Sequence, residues 1–281
     1  MALSNFPHAS PDIVLFDWHA TLADTRDGMY QALNEVMPEL AAMNLIERLV
    51  KTKESRSVQD AKVVKSVLEN ARLETTLEQA GKISRTDIFE ILFGRDDEAK
   101  GIAHAAFDAR YGSYCLKVRP NEDGIRSMLT HLKALGIAIG ILSNRKREFM
   151  EYEVGCIDGK GWLDLFDTMV CGDDVLRRKP APDTILKAVH NLGETPGTRC
   201  WYIGDSSADV IAAKRAGVTA VFYNGANWST DWIDRIFPAT ARNPHRPDVV
   251  IECFDDLLRM ANFFTAQEAA YRSVPHTRNC H

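Results

Sequence analysis

Short, almost unbroken apolar runs recur along this chain, separated by stretches with a helical repeat of apolar positions. The runs are Ile13 to Phe16, Ile137 to Leu142, Thr168 to Cys171, Cys200 to Ile203, Val218 to Tyr223 and Val249 to Ile251. Most are rich in Val, Ile or aromatic residues, as suits strands of a parallel sheet covered on both faces. Gly124 to Leu135 puts Ile125, Met128, Leu129 and Leu132 at helical spacing, and Pro182 to Leu192 does the same with Ile185, Leu186 and Val189. Ser207 to Ala216 carries Val210, Ile211 and Ala213, and Gly217 is placed to end that helix. Alternating strand and helix predicts right-handed β-α-β units, hence an α/β fold with a doubly wound parallel sheet.

One segment breaks the alternation. From Arg26 to Val118 the pattern is helical, with almost no strand signal. Tyr30, Leu33, Val36 and Met37 form one stripe, stopped near Pro38; Val63, Val64, Val67 and Leu68 form a second; Ile88, Ile91 and Leu92 follow a cap at Thr86 or Asp87; and Asp96 to Leu116 reads as a long last helix. The expected organisation is therefore an α/β core built from 10–25 and 119–263, an inserted all-helical domain at 26–118, and a polar, poorly ordered C-terminal tail at 264–281.

Open α/β sheets bind ligands at the carboxyl ends of their strands. Four strand ends here carry reactive groups. Asp17-Trp18-His19-Ala20-Thr21 follows the first strand, and Ser143-Asn144-Arg145 the second. The third is followed by Gly172-Asp173-Asp174 and then Arg178-Lys179-Pro180-Ala181-Pro182, the fourth by Gly204-Asp205-Ser206-Ser207-Ala208-Asp209. Brought to one edge, they supply carboxylates, a hydroxyl beside backbone donors, and an ammonium.

Bulk properties narrow the partners. In 281 residues, 45% are hydrophobic and 26% charged, enough apolar material for a substantial core, and the net charge of -5 provides no overall basic field for nucleic acid or anionic membranes. The six cysteines form no C-x-x-C pair and are expected to be reduced thiols. No apolar run approaches the roughly 20 residues of a membrane span, and the N-terminal stretch lacks a signal-peptide pattern, so a cytoplasmic location is expected. The tryptophans are expected to pack in the core or in loops, except Trp18, whose place beside Asp17 suggests stacking on a substrate.

The ordered set Asp17-to-Thr21, Ser143, Lys179 in Lys-Pro-Ala-Pro, and Gly204-Asp205-Ser-Ser-Ala-Asp209 resembles the motifs of the haloacid dehalogenase superfamily, most of whose members are phosphatases. The resemblance covers residues 10–25 and 119–263, is nearest to phosphoglycolate-phosphatase-like enzymes, and makes the helical insertion a cap domain. It implies a magnesium-dependent phosphatase acting on a small phosphorylated metabolite. Asp17 would be the nucleophile, forming an aspartyl-phosphate that splits one hard step into two. Asp17, Asp205 and the main-chain carbonyl of His19 would bind Mg2+, with Asp209 acting through water. Ser143 and the backbone N–H of Asn144 would hold the phosphoryl oxygens, while Lys179 would offset charge. A helix-start pair such as Asp205 and Asp209 also suits mere capping and the positive helix end. The expected state is a monomer or homodimer with no nucleic-acid or membrane partner.

His19 departs from the pattern, because phosphatases of this superfamily usually place a second aspartate there. An imidazole, with an unperturbed pKa of roughly 6.5, could protonate the leaving group and then activate water. The departure leaves rivals. A phosphonoacetaldehyde-hydrolase-like C–P hydrolase, suggested by Trp18, would need a cap lysine such as Lys51 or Lys53, although both lie in a charged stretch and are expected to face solvent. Dehalogenation ranks third among the chemistries, after phosphate-ester and C–P hydrolysis, and a weakened phosphatase serving as a binding or regulatory protein is the other alternative. Arg145 and Lys146 read equally as surface charges or substrate contacts.

Overall fold

The computed structural model describes residues 9–73, 85–114, 118–240 and 244–273, and the cysteines Cys115 and Cys280 and the end of the chain fall outside these. The chain divides into two compact units, one comprising Met1–Ala23 with Pro120–His281, the other Asp24–Arg119.

The first unit is built on a six-stranded sheet in the order β5-β4-β1-β6-β7-β8. Its strands are β1 (Ile13–Asp17), β4 (Ala138–Leu142), β5 (Thr168–Val170), β6 (Cys200–Gly204), β7 (Thr219–Tyr223) and β8 (Val249–Ile251). All neighbouring pairs run parallel. The chain steps outward from β1 through β4 to β5, then returns to the other side of β1 at β6. This reversal places a topological switch point beside β1. Phe16, Ile141 and Ile203 are fully buried, as a doubly covered sheet requires.

The crossovers are α5 (Ile125–Ala134), α6 (Arg147–Cys156), α7 (Asp183–Asn191) and α8 (Ser207–Ala216), with α9 (Thr230–Ile236) and α10 (Phe254–Ser273) completing the unit. Gly217 ends α8 at φ 73°, a backbone region that glycine enters without steric cost. Leu186 departs from the expected stripe of α7: it is 39% exposed, while Ile185 and Val189 are buried. The C-terminal segment also differs from the expected tail. α10 continues through Ser273 because Phe264 packs against Trp201, with ring centroids 6.1 Å apart, and Glu268 accepts a hydrogen bond from Arg199 at 2.6 Å. Composition made this segment look polar, but the Phe264–Trp201 contact, the Arg199–Glu268 ion pair and the hydrogen bonds from Ser10 to Glu268 and Thr265 dock it.

The second unit is helical: α1 (Arg26–Val36), α2 (Val58–Asn70), α3 (Arg85–Phe93) and α4 (Asp97–Tyr111). α1 ends just before the Met37–Glu39 turn that holds Pro38, whose ring cannot continue a helix interior. Asp96 caps α4 by accepting from the Ala99 N–H at 3.0 Å. Three details differ from the periodicity reading. Thr86 and Asp87 lie inside α3 rather than capping it, Leu68 is 47% exposed, and α4 stops at Tyr111, with Leu116 outside the described residues. The buried Arg85 guanidinium pairs with Asp108 at 2.8 Å and lies 4.6 Å from the centre of the Phe107 ring, so its charge is both paired and stacked. Short strands β2 (Ala23–Asp24) and β3 (Arg119–Pro120) form a two-stranded sheet where the chain passes between the units.

Among the described residues no helix is long and apolar enough to cross a membrane. Cys156, Cys171, Cys200 and Cys253 are free thiols, and burial pushes the Cys171 and Cys200 thiols up to about 12.

Candidate active site

Strand register assembles the site. Asp17 pairs with Leu142, one residue before Ser143, and Phe16 pairs with Ile203, two residues before Asp205. Asp17, Ser143 and the Gly204-Asp205 turn thus share the carboxyl edge of three adjacent strands. Asp17 and Ser143 are buried.

The loop after β1 is held in a tight turn. Ala23 donates to the Trp18 carbonyl and Ala20 to the Ala23 carbonyl, both at 2.8 Å. Ala20 takes φ 59°, a left-handed conformation that costs a residue with a Cβ about 1–3 kcal/mol. The Asn121 side-chain amide, donating to the Ala20 carbonyl at 3.1 Å, helps to hold that turn.

Lys179 reaches this edge from the loop after β5. Its backbone is gripped by the Asn144 side chain, which accepts from Lys179 N and donates to Lys179 O, each at 2.9 Å. The ammonium donates to Asp17 Oδ1 at 2.5 Å, to Asp209 Oδ1 at 2.7 Å and to the Tyr202 hydroxyl at 2.8 Å. Tyr202 in turn donates to Asp209 Oδ1 at 2.8 Å. Lys179, Tyr202, Asp17 and Asp209 are all nearly fully buried, so each ionised group depends on the others for compensation. Burial pushes the Asp17 carboxyl up and Asp209 adds to that push, against the pull of Lys179. Burial alone would lower the Lys179 ammonium, but Asp17 and Asp209 outweigh it and hold the group above its ordinary range. Burial, then Asp209, raises the Tyr202 hydroxyl well above its usual value, which keeps it a neutral donor.

Asp209 has two duties. Its Oδ2 accepts from Ser206 N at 3.1 Å and from Ser206 Oγ at 2.5 Å, while Ser206 Oγ accepts from Asp209 N, closing a capping box at the start of α8. Its Oδ1 serves Lys179 and Tyr202. Asp209 therefore both caps α8 and pairs with Lys179. Gly204 makes the approach possible: a Cβ there would lie 2.4 Å from Asp209 Cγ. Asp205 is half-buried and accepts from Thr21 Oγ1 at 3.3 Å.

Asp17, Asp205 and Asp209 each offer a carboxylate oxygen, all within 4.8 Å of one another. Three hard oxygen donors this close fit Mg2+, which takes one or two carboxylates and keeps waters.

Trp18 departs from expectation. Trp18 is fully buried, edge-on to Trp162 at 5.9 Å and to Phe166 at 6.5 Å, and its indole donates to Glu153 Oε2 at 2.8 Å; it is core rather than a stacking platform. Arg145 is not a surface charge, being 3% exposed with Nη1 3.5 Å from Glu153 Oε1. The Asn144 side chain organises Lys179, a contribution separate from its backbone N–H. Ser143 Oγ accepts from the Arg145 N–H at 3.1 Å. His19 Nε2 lies 3.7 Å from Glu153 Oε2. Lys51 and Lys53 are both exposed. Sequence reasoning missed Tyr202 and Glu153. Their signals were a phenol within an apolar strand, and a carboxylate inside the Met150, Glu153, Val154 face of α6.

A family model for haloacid dehalogenase-like hydrolases matches residues 14–223. A phosphoglycolate phosphatase from Xylella fastidiosa (strain 9a5c) is 27% identical over 258 residues, covering 86% of this chain and 95% of that protein. One from Salmonella paratyphi A is 28% identical over 162 residues, 58% of this chain, and the match spans only 59% of that relative's length. A solved beta-phosphoglucomutase from Clostridium difficile has a TM-score of 0.55 at 17% identity, covering 92% of this chain and 99% of that one. At that identity the likeness is one of fold alone.

Proposed function

The chain belongs to the haloacid dehalogenase-like hydrolase family, and from that premise we propose that it is a magnesium-dependent phosphatase of small phosphorylated metabolites, with Asp17 as nucleophile. The observation that carries this reading is the Lys179 ammonium clasped between Asp17 and Asp209, with an Asp205 oxygen within 4.8 Å of both carboxylates. The phosphoglycolate phosphatases among its relatives make a short phosphorylated acid the first substrate to try.

In this reading a carboxylate oxygen of Asp17 attacks phosphorus as the ester P–O bond breaks. The leaving alcohol takes a proton from His19. Water then attacks the aspartyl-phosphate, gives its proton to His19 and releases phosphate, restoring the Asp17 carboxylate. Lys179 offsets charge on Asp17 and the phosphoryl group, and Ser143 with the Asn144 N–H binds phosphoryl oxygens. Asp17, Asp205 and the His19 carbonyl, with Asp209 behind them, would hold magnesium, which would supply charge neutralisation and orientation.

No observation favours the C–P hydrolase alternative, and Lys51 and Lys53, the cap lysines suggested for it, are exposed. The test is phosphate release from p-nitrophenyl phosphate and phosphoglycolate, with and without Mg2+, for wild type and Asp17→Asn. Magnesium-dependent release that Asp17→Asn abolishes is the expected result. Turnover surviving in Asp17→Asn would remove the nucleophile assignment, and metal binding without turnover on either ester would favour a binding role.

A further inference from the structure

Asn121, Glu122 and Tyr223 belong to none of the four strand-end motifs, yet they meet at the turn after Asp17. Tyr223 ends β7 and is buried. Its ring stacks on Phe254 with centroids 4.8 Å apart, and a Cβ on Gly225 would lie 2.3 Å from its Cζ, so the phenol is confined from two sides. Its hydroxyl is 2.5 Å from Glu122 Oε1, and Glu122 Oε2 accepts from the Phe254 N–H at the start of α10 at 3.2 Å. Asn121 Nδ2 lies 3.2 Å from the Tyr223 hydroxyl and 3.1 Å from the Ala20 carbonyl. The hydrogens run one way through this set. A carboxylate accepts, so the single Tyr223 proton goes to Glu122 and the phenol oxygen accepts from Asn121. The Ala20 carbonyl also only accepts. Both amide hydrogens of Asn121 are thus committed, and the amide cannot turn over without losing both bonds.

We infer that Asn121, oriented by Tyr223 and Glu122, is a positioning residue: it fixes the peptide planes around Ala20 and so aims the His19 carbonyl into the site. The inference rests on the proposed reading of Asp17, Asp205 and that carbonyl as magnesium ligands. Ala20 takes φ 59°, a conformation that a residue with a Cβ keeps only where its surroundings over-determine it. The plane before Ala20 carries the His19 carbonyl and is held by the Ala20 N–H on the Ala23 carbonyl at 2.8 Å. The plane after Ala20 is held by the Asn121 amide, whose residue also donates its backbone N–H to the Leu22 carbonyl at 3.0 Å. Peptide planes are stiff, so holding both leaves Ala20 no route to relax. Without Asn121 the second plane swings, Ala20 leaves the left-handed region, and the His19 carbonyl turns with it. Thr21, the next residue, donates to Asp205 at 3.3 Å, so the same movement loosens the support of a second ligand.

The test is calorimetric binding of Mg2+ to the full chain without substrate. Asn121→Ala should raise the Mg2+ dissociation constant by about 10–100-fold, the usual cost of removing an outer partner of a metal ligand. Tyr223→Phe keeps the ring on Phe254 and should move the constant the same way by a smaller factor, which preserves the test should Asn121→Ala not fold. In the Asn121→Ala background, Tyr223→Phe should cost nothing further, because its effect runs through the amide. Glycine enters the φ 59° region without steric cost, so adding Ala20→Gly to Asn121→Ala should return the constant to within about threefold of wild type. A constant unchanged in Asn121→Ala and Tyr223→Phe, with only Tm lowered, would reduce the network to a structural brace and overturn the inference. Equal effects of Tyr223→Phe in the two backgrounds, or no recovery with Ala20→Gly, would overturn it too. A wild-type protein that binds no Mg2+ would defeat the metal reading itself and this inference with it, an outcome seen before any variant is made.

Discussion

Lys179 Nζ lies 2.5 Å from Asp17 Oδ1, inside a site where both side chains are almost completely buried. The same ammonium is 2.7 Å from Asp209, so one cation separates two carboxylates that would otherwise repel. Lys179→Met should therefore act on stability as well as rate. Removing one partner of a buried pair costs about 3–5 kcal/mol, or roughly 6–20 °C in Tm for a domain of this size. The kcat for phosphate release should fall by about 10²–10³, as for loss of one fixed charge-stabilising donor. Melting curves with and without Mg2+ check the electrostatic origin: the metal should narrow the difference from wild type, whereas a purely steric defect would be indifferent to it.

Thr21 supports Asp205 by donating to its carboxylate at 3.3 Å. Replacing an outer partner of a metal ligand typically lowers metal affinity by about 10–100-fold. Thr21→Val should raise the Mg2+ concentration for half-maximal activity toward the lower end of that range, with kcat at saturating metal little changed. Asp205→Asn should raise it further. Magnesium titrations of activity separate the two, and identical curves for wild type and Asp205→Asn would exclude Asp205 as a ligand.

The absent side chain at Gly204 is a structural requirement. A Cβ there would stand 2.4 Å from Asp209 Cγ and 2.5 Å from Asp209 Cβ, on a residue locked in place by its own capping box. Gly204→Ala must displace Asp209 from Lys179 or shift the strand end. Either response costs about 1–3 kcal/mol, the usual penalty of overpacking, and should reduce kcat more than KM. Denaturant unfolding and steady-state kinetics on the same preparation measure both effects.

At the edge of the helical unit, Asp24 accepts hydrogen bonds from Arg26 and Arg119 at 2.8–3.1 Å. Burial pushes the Asp24 carboxyl up, but the two guanidinium groups outweigh burial and hold it well below the ordinary aspartate value of 3.8. A group whose pKa is depressed by folding stabilises the fold above its unfolded pKa and loses that contribution as pH falls toward the folded value. Asp24→Asn should thus lower Tm at pH 7, and its difference from wild type should shrink steadily below about pH 4. A difference that stays constant from pH 7 to pH 3 would show that shape rather than charge matters at this position.

Much of the fold was legible because it is written in local periodicity. The run Cys200 to Ile203 is apolar throughout, since a strand covered on both faces has no polar side to show. Gly124 to Leu135 repeats its apolar residues on one face, and it forms α5 (Ile125–Ala134). The misread residues sit where tertiary contacts overrule pattern. Leu68 and Leu186 continue apolar stripes yet face solvent, while Phe264 and Glu268 lie in a polar stretch yet dock α10.

The chain's own order of residues determined an α/β sheet interrupted by helices, and set a carboxylate, a hydroxyl, a lysine and an acidic turn at successive strand ends. Tertiary structure alone decided that Lys179 lies between two carboxylates, that Tyr202 joins Lys179 to Asp209, that Trp18 is core, and that Glu153 lies beside His19. The reason is range. Periodicity reports the environment of a residue relative to neighbours within a turn or a strand, whereas these contacts depend on strand register and helix placement across as many as 162 residues of chain.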